Sequence, residues 1–161
     1  MQQVQSDAAR TALEVAGRLL SRRPYTEAEL RERLARRGLD EDLVEHTLAR
    51  LGALDLVGDG SFAKQWVEER AERKGLGSRR LRAELERKGV APDLIEEALQ
   101  AEADSELARA TALAAKRVSK VTHLPLPHQG GRLFTWLVGR GFEQEVAEAA
   151  ARAVLPPEGW D

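Results

Sequence analysis

One pattern of side chains occurs three times along this chain of 161 residues and constrains its fold more than any other feature. Each copy is centred on a glycine, Gly38, Gly89 or Gly141, and the copies lie 51 and 52 residues apart. Counted from the glycine, leucines stand eight and four residues before it, a basic residue directly precedes it, and apolar residues follow it by one, five and six residues. Such a fixed period is typical of tandem structural repeats.

Each copy predicts a helix, a tight turn and a second helix. Leucines four residues apart lie on one face of a helix. The glycine after that helix can adopt the left-handed conformation, so that the next apolar residue packs on the second leucine in a Schellman cap. We expect the paired leucines to be core residues, each costing about 2–5 kcal/mol when replaced by Ala. They are Leu30, Leu34, Leu81, Leu85, Leu133 and Leu137.

A third amphipathic helix is expected upstream of each turn, over about residues 7–21, 61–74 and 107–116. Short joints separate the first two of these helices from the helices that follow them. Thr26 and Ser78 end these joints, and we expect their hydroxyls to cap the following helices. After the glycine turns, Asp40 is expected to start the next helix in the first copy, and Pro92 lies near the first turn of the next helix in the second.

The third copy differs in how its helices are joined. The Pro- and Gly-rich segment 123–131 is expected to form a loop that breaks any helix and opens the next one. No strong helix breaker lies between Ala91 and Lys116, so one long helix is predicted to run from the second copy into the third.

We therefore predict an all-α fold of three tandem three-helix, helix-turn-helix-like repeats that form an elongated curved array. The abundance of Ala, Leu, Arg and Glu agrees with this, because these residues lose little side-chain freedom in a helix. The predicted boundaries are residues 1–58, 59–102 and 103–155 for the repeats and 156–161 for a frayed tail.

Charge is distributed unevenly, although the net charge is only −2. The basic segments are residues 22–38, 64–89 and 116–140, with balances of +3, +4 and +5. The acidic segments are residues 40–50, 93–106 and 143–150, with balances of −3, −6 and −3. Stacked repeats would turn these segments into a basic and an acidic stripe, the first suited to a polyanion. The alternative is an ordinary solvated surface of helices with i,i+4 pairs.

The chain shows no convergent set of catalytic or metal-binding residues. It has no cysteine. His46 lies on a predicted exposed helix, and His123 and His128 lie five residues apart in a Pro-rich loop without an acidic neighbour. We expect a non-catalytic protein without cofactor or metal. No apolar stretch approaches the roughly 20 residues of a membrane span, so we expect a cytoplasmic protein that does not bind membranes.

Three aromatic residues allow two interpretations each. Trp66 and Trp136 stand at apolar positions of predicted helices, which favours core packing over stacking on nucleic-acid bases. Tyr25 lies in the basic joint after Arg22 and Arg23, where contact with a partner and packing under the turn are both open.

The ordered combination of three stretches resembles the RecX family. Residues 25–39 are similar to its first repeat, residues 51–70 to the bridge between repeats, and residues 75–90 to its most diagnostic part. The resemblance weakens over residues 133–153. The bridge departs from the family pattern, since only Asp59 remains of the two acids that often precede Phe62 and Ala63.

The resemblance implies a regulator of the RecA recombinase in homologous recombination, DNA repair and the SOS response. Members of the family dock in the helical groove of the RecA–single-stranded DNA filament. They usually inhibit strand exchange, ATP hydrolysis and the co-protease activity of RecA. The implied partners are that filament and single-stranded DNA, with weak binding of duplex DNA left open, and we expect a monomer.

Nine basic side chains are predicted to line the interaction face. Arg79, Arg80 and Arg82 are the foremost, because they crowd a helix N-terminus that favours anions. The full set is Arg36, Arg37, Arg79, Arg80, Arg82, Arg87, Lys88, Arg132 and Arg140. The alternatives are a helix-turn-helix DNA-binding repressor, which the acidic final helices without Asn disfavour, and a general helical scaffold for protein partners.

Overall fold

The structure, a computed structural model, describes residues 1–160, and in that part of the chain it contains eight α-helices and no strand. The helices are α1 (Gln2–Leu20), α2 (Glu27–Arg36), α3 (Glu41–Ala53), α4 (Asp59–Lys74), α5 (Ser78–Arg87), α6 (Pro92–Arg117), α7 (Leu126–Gly139) and α8 (Gln144–Val154). Short 3₁₀ helices, Val118–Lys120 and Pro157–Gly159, follow α6 and α8. The prediction of an all-α chain of helix–turn–helix groups is confirmed.

The described chain divides into two compact units. The N-terminal unit comprises residues 1–66, in which α1 packs against both α2 and α3. The C-terminal unit comprises residues 67–160, in which α5 packs on α6, and α6, α7 and α8 pack on one another. The division falls inside α4.

The paired leucines occupy the centre of each helical group. All six expected core leucines have at most 1% of their surface exposed. Leu30 and Leu34 belong to the core of the N-terminal unit, and Leu133 and Leu137 to a second cluster between the end of α6, α7 and α8. Leu81 and Leu85 are the buried residues of α5, in the C-terminal unit.

All three predicted glycine turns are Schellman caps. Gly38, Gly89 and Gly141 have φ values of +87°, +79° and +95°. In the first turn the N–H of Leu39 donates to the Leu34 carbonyl and that of Gly38 to the Ala35 carbonyl, and the other two turns repeat this pair of bonds. The left-handed region that L side chains avoid is therefore used at the same point of each copy.

The predicted helix starts are confirmed with one exception. Thr26 caps α2, and Asp40 caps α3 by accepting from the Leu43 N–H at 2.8 Å. The prediction that Ser78 caps α5 is wrong. Ser78 is the first residue of that helix, Gly77 is its N-cap, and no side chain of the N-cap takes part.

A fourth turn of the Schellman type closes α3 without glycine. Asp55 adopts φ +57°, and the N–H of Leu56 donates to the Leu51 carbonyl at 2.9 Å. Asp is among the few non-glycine residues that visit this region, because its short polar side chain can bond locally. The sequence repeat did not reveal this turn, because the repeat is defined by glycine.

The long helix predicted between the second and third copies is confirmed as α6, but the loop predicted over 123–131 is shorter than expected. Helix α7 already begins at Leu126, with Pro127 in its first turn, where the missing N–H has no intrahelical partner to lose. Gly130 lies inside this helix for a steric reason, since a Cβ there would stand 2.7 Å from the ring of Trp160.

The predicted frayed tail instead packs on α7 as far as it is described. Gly159 is buried, and Trp160 joins the core cluster of α7 and α8 with Arg152 at 4.5 Å from its ring. Burial of a large aromatic ring offsets the cost of ordering these residues. Asp161 lies outside the described residues.

Candidate interaction surface

The first turn of α5 was predicted to attract an external anion. In the structure, groups of the protein itself occupy this end of the helix. The backbone N–H of Gly77 donates to the Arg140 carbonyl at 3.0 Å, and that of Ser78 donates to Oε1 of Glu106 at 2.8 Å. The N–H of Arg79 donates to the Gly141 carbonyl, in the turn between α7 and α8, at 2.9 Å.

The first N–H groups of this helix are therefore already satisfied within the chain and are not open to an external anion. A helix N-terminus binds an anion through its first N–H groups, and here a carboxylate and two carbonyls already accept from three of them. Arg79 and Arg80 remain exposed beside the site, and Arg80 has Glu84 3.8 Å away as a partner on its own helix. Any binding by these two arginines depends on their side chains alone.

Arg82 is part of an internal ion-pair cluster. Its Nε donates to Glu96 Oε1 at 2.7 Å and Nη2 lies 3.4 Å from Oε2, a bidentate arrangement that fixes the guanidinium. Nη1 lies 3.5 Å from Glu143, which follows the third glycine turn. Arg82 thus joins α5, α6 and the start of α8, and a partner would have to compete with two carboxylates for it.

Arg140 also has an internal role. Its guanidinium donates to the carbonyls of Lys74 and Gly75, at the C-terminal end of α4, and lies 5.7 Å from the ring of Trp136. Cations are favoured where the last carbonyls of a helix are exposed. Arg140 therefore caps a helix from a turn 65 residues further along the chain.

The Arg82–Glu96 pair has a counterpart in the first copy. Arg31 stands seven residues before its glycine and Glu45 seven after, the same positions as Arg82 and Glu96 in the second copy. Arg31 Nε donates to Glu45 Oε1 at 2.6 Å. In both copies the arginine's hydrogen bond lowers the pKa of the carboxyl group below its usual value. The pair therefore braces the two helices on either side of the turn.

The remaining predicted residues lie at the surface. Arg36 is exposed and pairs with Glu32 one turn earlier at 2.5 Å, and Arg87 donates to the Ala83 carbonyl of its own helix. The others, Arg37, Lys88 and Arg132, are exposed at the ends of α2 and α5 and in α7. Arg36 and Arg37 lie in the N-terminal unit and the other seven predicted residues in the C-terminal unit.

Sequence reasoning missed several groups that shape this surface. It did not find the capping role of Glu106, because 28 residues separate it from Ser78 and no local motif marks the contact. The recurrence of Arg and Glu seven residues on either side of two glycines could have revealed the bracing pairs. Arg117 and Lys120, which line a cleft together with Trp136, could be suspected only from the absence of acidic residues over residues 116–140.

Tyr25 and the two helix-borne tryptophans are placed differently from one another. Tyr25 is buried in the core of the N-terminal unit with the Arg23 guanidinium 3.8 Å from its ring, so packing under the turn is the correct interpretation. Trp66 contacts Phe62 at 5.5 Å between ring centroids. Trp136 is only half-buried and lines a cleft, described below.

Comparison with known proteins decides the family. Residues 12–51 match the family model described as "RecX, first three-helix domain", and residues 59–99 match "RecX, second three-helix domain". The regulatory protein RecX of Streptomyces coelicolor is 33% identical over 156 residues, which cover 96% of this chain and 83% of that protein. The chain belongs to the RecX family. RecX proteins of Mycobacterium avium and Chlorobaculum tepidum are 38% and 36% identical and cover 88% and 92% of the chain.

Solved RecX structures have the same fold. A crystal structure of RecX from Lactobacillus salivarius superposes with a TM-score of 0.65 at 21% identity, covering 92% of this chain and 97% of that one. A second crystal structure of a regulatory protein RecX gives a TM-score of 0.59 at 24% identity, covering 90% of this chain and 72% of that one.

None of the helices in residues 1–160 has the length and apolar character that a membrane span requires.

Proposed function

We propose that this chain binds in the helical groove of the RecA–single-stranded DNA filament and inhibits the ATPase, strand-exchange and co-protease activities of RecA. Its membership of a family of regulatory proteins, along nearly its whole length, is the observation that carries this proposal. The chain would act in the cytoplasm as a monomer, as a binding partner and without catalysing a reaction.

The distribution of cations supports attachment through several weak contacts. Exposed arginines occur in both units, at Arg36 and Arg37 on the one and at Arg79, Arg87 and Arg132 on the other. Binding at one unit raises the effective concentration of the other near its site, so weak contacts can give tight overall binding. Phosphates of DNA and acidic patches of a protein are both complementary to such cations.

The structure changes which residues should be tested. Substitution of Arg82 or Arg140 would break internal contacts and confuse loss of binding with loss of fold. Arg79 and Arg87 are exposed, and neither forms an ion pair within residues 1–160. Reversing both to Glu therefore removes surface charge while leaving the bracing pair of Arg82 with Glu96 intact.

The decisive measurement is the rate of ATP hydrolysis by RecA on single-stranded DNA with increasing amounts of the chain. We expect the wild-type chain to slow hydrolysis and Arg79→Glu/Arg87→Glu to require a higher concentration for the same effect. Arg18→Glu/Arg50→Glu is the matched control, because both arginines are exposed in the N-terminal unit and lie outside the predicted set. A wild-type chain that left RecA unaffected would overturn the proposal, and tight sequence-specific duplex binding would favour a repressor instead.

A further inference from the structure

A cleft opens on the C-terminal unit beside α7. It has a volume of about 370 Å³, which lies in the range of small-ligand sites. The end of α6, the 3₁₀ helix Val118–Lys120 and α7 form its walls. The side chains that the argument uses are Arg117, Lys120, His123, Arg132 and Trp136.

The cleft is lined by cations without a single carboxylate. Arg31 and Arg82, by contrast, each pair with a Glu of a neighbouring helix. Here neither Lys120 nor Arg132 forms an ion pair within residues 1–160, and the segment 116–140 contains no acidic residue at all. Unneutralised cations gathered in a concave site raise the local concentration of an anionic partner.

Trp136 adds an aromatic surface to this basic wall. Its ring is half-buried against the core of α7 and α8 while its remaining surface lines the cleft. The Arg117 guanidinium lies 5.0 Å from the ring centroid, within the range of a cation–π contact. The packing on one side holds the ring in place, so it is ordered before any partner arrives.

We propose that this cleft is a contact site for single-stranded nucleic acid, with Lys120 and Arg132 binding backbone phosphates and Trp136 stacking on one base. Cations that follow the backbone combined with an aromatic stacking surface are the two features that single-strand binders share. An acidic peptide would use the cations but would gain little from Trp136. The site rests on the function proposed above, because single-stranded DNA is the partner there.

The test measures binding of a fluorescent oligodeoxythymidine to the full chain alone, by anisotropy at several salt concentrations. Each phosphate contact on a single strand contributes about 0.7 to the slope of log affinity against log salt. Lys120→Gln/Arg132→Gln should therefore reduce the slope by about 1.4. Arg18→Gln/Arg50→Gln changes the net charge equally, outside the cleft, and should leave the slope almost unchanged.

Stacking is tested with two substitutions of the same tryptophan. Trp136→Leu should weaken binding about fivefold to 150-fold, the range expected for one stacked base. Trp136→Phe retains an aromatic face and should recover most of the affinity. Thermal unfolding of each variant, followed by circular dichroism, shows whether the chain is still folded. If Trp136→Leu does not fold, the affinity of Trp136→Phe tests whether an aromatic ring is needed.

Several outcomes would overturn the site. These are an unmeasurable affinity of the wild-type chain even at low salt, equal losses in the cleft and control double variants, or unaltered binding by Trp136→Leu. Displacement of the oligonucleotide by oligoglutamate, together with normal binding by Trp136→Leu, would assign the cleft to an acidic peptide. The assay contains no RecA, so a failed site leaves inhibition of RecA untouched, and a chain without effect on RecA can still bind DNA here.

Discussion

The first turns of α2 and α5 occupy the same place in successive copies but are stabilised differently. At α2 the Thr26 hydroxyl accepts from the Glu29 N–H, and the Glu29 carboxylate accepts from the Thr26 N–H, so two residues three apart satisfy each other in a capping box. At α5 the N-cap is Gly77, and its acceptors come from Glu106 and from the turn between α7 and α8. The first cap is local and the second depends on distant parts of the chain.

The arginines of the bracing pairs repeat this difference. Arg31 meets Glu45 across the turn and Glu27 on its own helix at 3.0 Å. Arg82 meets Glu96 across the turn, but its second partner is Glu143, in the group formed by the end of α6, α7 and α8. Within the C-terminal unit, the second and third helical groups thus complete each other. These contacts help to hold them in one compact unit, whereas the first group forms the other unit together with the first half of α4.

Substituting the turn glycines by Ala should give the largest difference in stability between the two units. A Cβ at Gly141 would stand 2.3 Å from the Arg80 Cβ and 2.8 Å from the Arg80 N, whereas one at Gly38 or Gly89 would meet nothing within 4 Å. All three have positive φ, so Ala costs about 1–2 kcal/mol at each. Gly141→Ala should cost about 1–3 kcal/mol more, because α5 must move away.

Urea unfolding followed by circular dichroism measures these differences. Gly38→Ala and Gly89→Ala are matched controls, since they share the backbone conformation and differ only in the space around the glycine. Equal losses in all three variants would mean that α5 and the turn between α7 and α8 are not held together as described.

The caps give the next largest effect. Glu106→Ala leaves the half-buried Ser78 N–H without its charged acceptor and should cost about 1.5–3 kcal/mol, while Thr26→Ala should cost about 1 kcal/mol. Glu106→Gln keeps an acceptor oxygen and should lie between wild type and Ala. Calorimetric unfolding checks the order. A loss for Thr26→Ala larger than that for Glu106→Ala would contradict the view that the cap of α5 depends on a distant carboxylate.

The same contrast explains what the sequence could predict. Leucine pairs, glycine turns, the Thr26 and Asp40 caps and the uninterrupted α6 depend on neighbours within about one turn of helix, so residue spacing was enough. The cap of α5 was assigned to Ser78 because local rules offer only a nearby hydroxyl. The true acceptor comes from a residue whose position depends on the packing of α6 on α5, which no local motif encodes.

The candidate site was predicted less well than the fold, for a related reason. Exposure and charge can be inferred from a sequence, but whether a cation is already paired depends on its tertiary neighbours. Arg82 and Arg140 appeared equivalent to Arg79 and Arg132 in the sequence, yet the former two bind the protein's own acceptors. Conversely, the cleft around Trp136 became visible only when α6 and α7 were placed together.

A smaller effect is expected at the turn that follows α3, which closes locally without glycine. Asp55 holds φ +57° and is exposed, so Asp55→Gly should relieve the strain of a left-handed L residue. The greater freedom of glycine in the unfolded chain offsets part of this gain, and the net stabilisation should be at most about 1 kcal/mol. Chemical unfolding of the variant measures it, with Asp55→Ala as a control that should destabilise. A destabilised Asp55→Gly would show that the aspartate side chain itself stabilises the turn.

The smallest effect on stability is expected from the bracing pairs, and it should show in the dependence of stability on pH. Arg82 lowers the pKa of Glu96 in the folded protein, chiefly through their hydrogen bond. The stabilisation is therefore present above the unfolded pKa, about 4.3, and is lost as the pH falls through the lower folded value. Glu96→Gln should remove about 0.2–1 kcal/mol at pH 7, as expected for an exposed pair, and should make stability less dependent on pH below about 4.

Comparing Glu96→Gln with Glu45→Gln then asks whether the second partner of Arg82, Glu143, matters. Glu45 also has a lowered pKa because of Arg31, so its variant should change the pH profile in the same direction. After Glu96→Gln, Glu143 is the one carboxylate left beside Arg82 within residues 1–160. A second substitution, Glu143→Gln, should therefore cost a different amount of stability in this variant than in the wild-type chain. A double variant Glu96→Gln/Glu143→Gln whose losses simply add would show that the two carboxylates act independently. Arg82 would then not couple the second and third helical groups, and the contrast between the two units would rest on the α5 cap alone.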